Sequence, residues 1–296
     1  MPSWFREAGL GSRLRLEELY DKPDCGAYYR AMREVGYGTP RHLMPIARAA
    51  LAEVVRLRGE VAPVVLEFGC GYGIGSAMLR HDVTLDEVLR RYASPEMQGL
   101  STLELADNDW DWFAARRRPG PHPHVAGLDK AGYALAYGHA TGIFDEIFRE
   151  DLQQESPSRP LARRLSRCAM IIEVGASAHL LPNALDRILA CVGQPAPWFV
   201  MSPVQGGDFG IAIERLEAAG LRVERLPIPP FVHRRFLDDG ERARTLESLR
   251  ARGLDPSRTE SSDSLHAQIY IARQPGECTP FGDWAHKAAD SVPVGA

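Results

Sequence analysis

The chain has 296 residues, enough for one large domain or two small ones; 45% are hydrophobic and 25% charged, a composition that buries a core without metals or disulfides. A net charge of -4 argues against general nucleic-acid binding, which needs a basic surface. No run approaches about 18 uninterrupted apolar residues, so no membrane span is expected, and the opening MPSWFREAGLGSRLRLEEL is too polar for a secretion signal. Five cysteines, Cys25, Cys70, Cys168, Cys191 and Cys278, are scattered and odd in number, with no CxxC pair. They read as free thiols in a reducing compartment, and the chain is expected to be cytoplasmic.

Residues 13 to 60 read as helical. LRLEELYD and RHLMPIARAALAEVVRLRG repeat apolar residues every three or four positions, and Gly59 suits the end of the second helix. APVVLEFG reads as a buried strand halted by glycine, with a helix expected from Ile74 onward. His81 to His124 is a helical stretch: TLDEVLRRY, with Thr84 as N-cap, then LELADNDWDWFAARRR, then a stiff PGPHPH loop. VAGLD is a second strand ending in Asp129, AGYALAYGHATGIF a helix, and EIFREDL a short strand ending at Glu150 or Asp151. CAMIIEVGA, PWFVMSPV, LRVERLPI and HAQIYIAR complete the strands. Helices are expected at NALDRILACVG and FGIAIERLEAAG, and a helical insertion around DDGERARTLESLRARG separates the last two strands. Alternating strands and helices predict a mostly parallel sheet covered on both faces. The tail beyond Arg273 is rich in small and polar residues and is expected to be loosely held.

VVLEFGCGYGIGSAML places Gly69, Gly71, Gly73 and Gly75 between a strand and a helix. The dinucleotide fingerprint G-x-G-x-x-G fails in both registers, because its third glycine would fall on Ile74 or Ser76. No Lys followed by Ser or Thr makes a phosphate loop either. What remains is acid-x-Gly-x-Gly-x-Gly, Glu67 to Gly73, which resembles the first motif of the class I S-adenosylmethionine (SAM)-dependent methyltransferases. The resemblance covers roughly Val61 to Arg273. It implies a Rossmann-like three-layer α/β sandwich, with a mostly parallel seven-stranded sheet, an antiparallel last strand and helical lid insertions. It also implies SAM as cofactor. Glu67 would hold the ammonium, directly or through water. The loop Gly69, Cys70, Gly71, Tyr72 and Gly73 would lie against methionine and ribose, where glycine permits close approach. Asp129, with Lys130 beside it, would accept the ribose hydroxyls. Asp151, with Leu152 next to it, would meet the adenine amino group, Glu150 being the less favoured neighbour. Between Glu67 and Asp129 lie many more residues than compact members of the family need, so residues 81–124 are an insertion: a surface decoration or part of a cover over the site.

In this fold the acceptor pocket lies beyond the strand CAMIIEVGASAHLLP. Its catalytic candidates are His179 as base, and Glu173 as the group that orients it, binds a cationic substrate or touches the cofactor. Tyr28 and Tyr29 could face the sulfonium, a cation–π attraction worth ~0.5–2 kcal/mol. Tyr133 and Tyr137, at four-residue spacing, suit the core or a shared helix face. His233, Arg234 and Arg235 suit an acceptor carboxylate or a solvated face, and Arg116 to Arg118 a solvated helix end. His122 and His124 share a loop without a third ligand, so no metal is expected.

The expected organisation is an N-terminal helical lid (1–60), a SAM-binding domain (61–273) with insertions at 81–124 and 231–263, and a tail (274–296). The expected activity is methyl transfer to a small molecule in biosynthesis. Partners are SAM and the acceptor, with no nucleic acid and no membrane; a homodimer is compatible. Two alternatives stay open: a cyclase or lyase releasing methylthioadenosine from SAM, and a non-catalytic SAM-binding protein.

Overall fold

The computed structural model describes residues 19–120, 122–175 and 181–284. Seven strands form the central sheet: β1 (Val64–Phe68), β2 (His124–Asp129), β3 (Glu146–Arg149), β4 (Cys168–Glu173), β5 (Trp198–Met201), β6 (Arg222–Arg225) and, last in the chain, β9 (Tyr270–Arg273). Their spatial order is β3-β2-β1-β4-β5-β9-β6. Neighbours from β3 to β5 are parallel, and β9 alone runs against its neighbours β5 and β6. β1 lies between β2 and β4, so the chain leaves it in opposite directions; the crevice at such a reversal is where open α/β sheets take ligands.

Successive residues of a strand face opposite sides of the sheet. Val65, Val125, Met170 and Val200 therefore pack into one core with α2 (Thr39–Arg58), α3 (Ile74–Arg80) and α7 (Gly132–Ala140). Leu66, Leu128, Ile171 and Phe199 pack into the other with α8 (Arg159–Leu165), α9 (Leu181–Leu189) and α10 (Gly210–Ala218). α2 starts with Pro40 in its first turn and stops at Gly59, whose φ of 64° is left-handed, as a C-terminal glycine supplies. Ahead of α2, α1 (Gly26–Glu34) covers the glycine-loop end of the sheet.

Residues 81–124 hold α4 (Leu85–Ala93), α5 (Pro95–Gln98) and α6 (Thr102–Ala114). Reciprocal capping boxes, Thr84 with Glu87 and Ser101 with Glu104, start α4 and α6. Tyr92 of α4 stacks on Tyr29 of α1 with centroids 5.0 Å apart. The fully buried Asp109 accepts from Arg91 Nε at 2.9 Å, Tyr92 Oη at 2.5 Å and Tyr137 Oη at 2.6 Å.

Beyond β6 the structure differs from the sequence reading in two ways. Phe231–Arg235 forms a strand, β7, which pairs antiparallel with β8 (Ser264–Ala267) in a separate two-stranded sheet; α11 (Asp239–Ala251) and α12 (Ser257–Ser262) lie between them in the chain. HAQIYIAR therefore spans two sheets, with His266 and Ala267 in β8 and Tyr270 to Arg273 in β9. The periodicity of an apolar run marks strands but does not tell which sheet each half joins. The tail also differs through residue 284. Trp284 is fully buried, edge-on to Trp198 at 6.2 Å, and Glu277 accepts from Arg58 Nε and Trp198 Nε1, both at 2.7 Å. Among the described residues, no helix is long and apolar enough to cross a membrane.

Candidate cofactor and acceptor site

The glycine loop leaves β1 with Gly69, Gly71 and Gly73 at positive φ, +64°, +52° and +80°. Gly69 N donates to Leu128 O at 2.8 Å, which fixes the loop against the end of β2. Gly75 is needed for a different reason: it is helical, and a Cβ there would stand 2.6 Å from Glu67 Oε1. Its absence lets the Glu67 carboxylate reach the first turn of α3, where it accepts from Gly75 N at 3.2 Å, Ser76 N at 2.7 Å and the Ser76 hydroxyl. Glu67 is 1% exposed, and burial pushes its pKa up to about 7 against the lowering effect of those hydrogen bonds. The acid of the motif is thus first the partner of α3, and it also lines the cavity.

Asp129, at the end of β2, is buried. Oδ1 accepts from Ala131 N at 2.9 Å, and Oδ2 from Gly71 N and Tyr20 Oη, each at 2.8 Å. The glycine loop and the β2 acid, 58 residues apart in sequence at the Gly71–Asp129 contact, are therefore directly hydrogen-bonded. Past β3, Asp151 Oδ1 accepts from Gln153 N at 3.0 Å, while the Glu150 carboxylate holds Ser158, the N-cap of α8, at 2.9 and 2.6 Å.

A cavity of about 740 Å³ joins these groups. One end is lined by Glu67, by Gly69, Cys70 and Tyr72 of the loop, by Asp129 and Lys130, and by Glu150 to Gln153. The other is lined by Val174 and Gly175 after β4, Val204 to Gly207 after β5, and His233, Arg234, Glu241 and Arg244 from the β7–α11 insertion. Tyr28, Tyr29 and Met32 of α1, with Tyr37, add an aromatic wall that touches both groups: the Tyr28 ring lies 5.4 Å from that of Tyr72, and the Tyr37 ring 5.4 Å from that of His233. Such a volume suits a nucleoside-sized ligand together with a small second molecule, since ligand pockets run about 300–1,000 Å³.

The candidates from the sequence fall into three groups. Glu67, Gly69, Cys70, Tyr72, Asp129, Lys130, Asp151, Leu152, Tyr28 and Tyr29 all line the cavity. Gly71 and Gly73 carry the turn of the loop, and Gly71 is bonded to Asp129. The Lys130 Nζ is buried and has no hydrogen-bond partner among the described residues. Glu173 is fully buried, accepts from Ser202 N at 3.4 Å, and is not among the residues lining the cavity; Val174 and Gly175 are. His179 lies outside the described residues. Of the basic trio, His233 and Arg234 reach the cavity, whereas Arg235 is exposed and donates to Glu34 O. Tyr133 is exposed and Tyr137 belongs to the Asp109 cluster.

Several contacts in and around the cavity carry no signal in the sequence. Thr39 Oγ1 lies 2.7 Å from His233 Nδ1, and Tyr37 meets the same ring edge-on at 5.4 Å. Arg234 is held by Glu241 through two bonds of 2.8 and 2.6 Å, and Arg244, Thr245 and Ser248 follow along α11. Tyr20 reaches Asp129 across 109 residues of sequence. Burial foremost, and then neighbouring negative groups, push the Tyr20, Tyr29 and Tyr37 phenols well up, so they meet any ligand as protonated donors.

No family model matches the chain, and no curated protein matches it. Among solved structures it is similar to a TehB-like SAM-dependent methyltransferase from Corynebacterium glutamicum, at 13% identity and TM-score 0.40, covering 84% of this chain and 95% of that one. It is also similar to the Burkholderia thailandensis 1,6-didemethyltoxoflavin-N1-methyltransferase with bound 1,6-didemethyltoxoflavin and S-adenosylhomocysteine, at 13% identity and TM-score 0.37, covering 84% and 88%. A third is the O-methyltransferase of a Brevibacillus brevis trans-AT PKS multienzyme in complex with S-adenosyl-L-homocysteine, at 10% identity and TM-score 0.37, covering 82% and 77%. The strand order, with antiparallel β9 between β5 and β6 and the glycine loop after β1, gives this chain a Rossmann-like α/β fold with the mostly parallel seven-stranded sheet expected from the sequence.

Proposed function

We propose that the protein binds SAM along the Gly69–Gly73 loop and Asp129 and transfers its methyl group to a small molecule held at the β7–α11 end of the cavity. The observation that carries this reading is the Gly71–Asp129 pair: a left-handed glycine whose amide and neighbouring acid meet at the ends of β1 and β2. A flat backbone there accepts a ribose and an amino-acid chain, and neither requires a phosphate site. Methyl transfer is an in-line displacement at carbon that consumes the sulfonium charge. It needs alignment and exclusion of water, and a base where the acceptor carries a proton. The tyrosine wall of α1 shields the midpoint of the cavity, where the two ligands would meet. His179 is the proposed base, and the fixed His233 ring orients the acceptor beside Gly175.

Calorimetric titration with SAM and S-adenosylhomocysteine (SAH) tests the cofactor assignment. Asp129→Ala and Gly71→Val should each lower affinity more than tenfold, since charge-assisted bonds are worth roughly 1.5–3 kcal/mol. Wild-type affinity in both variants would place the nucleoside elsewhere. Incubation with SAM and candidate acceptors, read by mass spectrometry, tests the reaction: methyl transfer leaves SAH, whereas cyclisation or elimination leaves methylthioadenosine.

A further inference from the structure

We propose that Tyr20 gates the cofactor site: its phenol occupies the ribose-hydroxyl position on Asp129, and a nucleoside enters by displacing the Leu19–Lys22 segment. This rests on the SAM reading above and adds to it a residue that the glycine motif does not contain.

The hydrogen bonds at Asp129 carry the inference. Oδ1 is engaged by Ala131 N, and Oδ2 by Gly71 N. The third donor, Tyr20 Oη at 2.8 Å on Oδ2, is the only one of the three that is not a backbone amide next to the site. A ribose diol brings two donors and needs both carboxylate oxygens, so it competes with the phenol. The ring adds a second obstacle. A Cβ built on Gly71 would lie 3.0 Å from Tyr20 Oη and 3.2 Å from Cε2 and Cζ, so the ring lies against the backbone surface that glycine keeps flat. Tyr20 also meets Tyr28 edge-on at 5.8 Å, which places it at the wall of the same cavity.

The rest of the segment is tied by a few polar contacts. Lys22 N donates to Tyr72 Oη at 2.9 Å, and that hydroxyl donates to Lys22 O at 3.0 Å. Asp21 Oδ1 accepts from Tyr133 N at 2.7 Å and Ala134 N at 3.3 Å, at the start of α7. Asp21, Lys22 and Tyr133 are exposed, so releasing the segment disturbs little of the core. A site whose competent form is only partly populated binds with correspondingly reduced apparent affinity, and a change that frees Asp129 should restore it.

The probe is SAH, titrated calorimetrically into wild type and Tyr20→Phe, with thermal melts to verify folding. The variant keeps the ring and removes the bond, and it should bind SAH about tenfold more tightly, the equivalent of one such hydrogen bond. Asp21→Ala, which loosens the same segment from α7, should tighten binding in the same direction by less. In wild type, saturating SAH should speed amide exchange at Tyr133 and Ala134 as their bonds to Asp21 break. Equal or weaker SAH binding by both variants overturns the gate, because Tyr20 would then be indifferent to the ligand or part of its binding surface. Failure of the wild type and both variants to take up SAH would instead remove the SAM reading itself, and the gate with it.

Discussion

Residues 81–124 and 231–263 both interrupt the alternation of strand and helix, yet only the second reaches the cavity. From α11 and β7 come His233, Arg234, Glu241 and Arg244, which line it directly. None of the described residues of 81–124 does so. That stretch instead packs behind α1: Tyr92 stacks on Tyr29, and Asp109 gathers Arg91, Tyr92 and Tyr137 into one buried cluster. One stretch lines the cavity; the other packs against the helix that carries Tyr28 and Tyr29. Helical periodicity alone does not separate these roles, because amphipathic helices look alike whether they face a cavity or a neighbouring helix.

The largest effect expected from this contrast is at Asp109. Asp109→Ala leaves a guanidinium and two phenols without their shared acceptor, and breaking a buried pair typically costs ~3–5 kcal/mol. Chemical denaturation should register that loss, with faster amide exchange in α1, α4 and α6 and little change in β7 or α11. A loss under about 1 kcal/mol would mean that 81–124 is an appendage, as surface substitutions usually are.

Glu67, bonded to α3, belongs to neither region, and its effect appears in the pH dependence of stability. Its folded pKa of about 7 stands above the ordinary 4.5, so the fold binds this proton more tightly than the unfolded chain does. Its contribution is present at low pH, is lost as pH rises from about 4.5 through about 7, and is flat beyond, spanning up to ~3 kcal/mol. Glu67→Gln should flatten that slope in urea midpoints taken from pH 5 to pH 8. An unchanged slope would assign the titration to another group.

The reciprocal experiment on the second insertion is Glu241→Ala. It removes both bonds to Arg234 and the one from Leu237 N at 2.8 Å. A drop of about 2 kcal/mol is expected for a partly buried charged pair, with exchange rising across β7 and α11 and unchanged in α4 and α6. Exchange rising in both regions would make the two insertions one cooperative unit. The smallest effect belongs to Leu103, which is 79% exposed on α6. Leu103→Ser should change stability by no more than about 0.5 kcal/mol; a larger loss would show that the outer face of the insertion is covered.

How much was legible in the sequence varies by region. The buried run before Glu67, the four glycines and the acid after VAGLD announced β1, the loop and Asp129, because each depends on residues close together in the chain. Capping of α4 by Thr84 was legible for the same reason, since its partner Glu87 is three residues away. The role expected of Glu173 followed from its position at a strand end, yet the side chain is packed with Ser202 rather than lining the cavity. The tail looked loose by composition, but Trp284 anchors it against Trp198.

By itself, the sequence determined the alternating architecture, the glycine turn and the strand-end acids, through short-range rules of periodicity, φ preference and capping. The tertiary structure alone decided the division of HAQIYIAR between two sheets, the partnership of Arg234 with Glu241 inside the cavity wall, and the meeting of Tyr20 with Asp129. The physical reason is that such contacts join segments distant in the chain. Their partners are selected by which surfaces remain to be buried once the sheet has formed, a quantity that no local window of sequence contains.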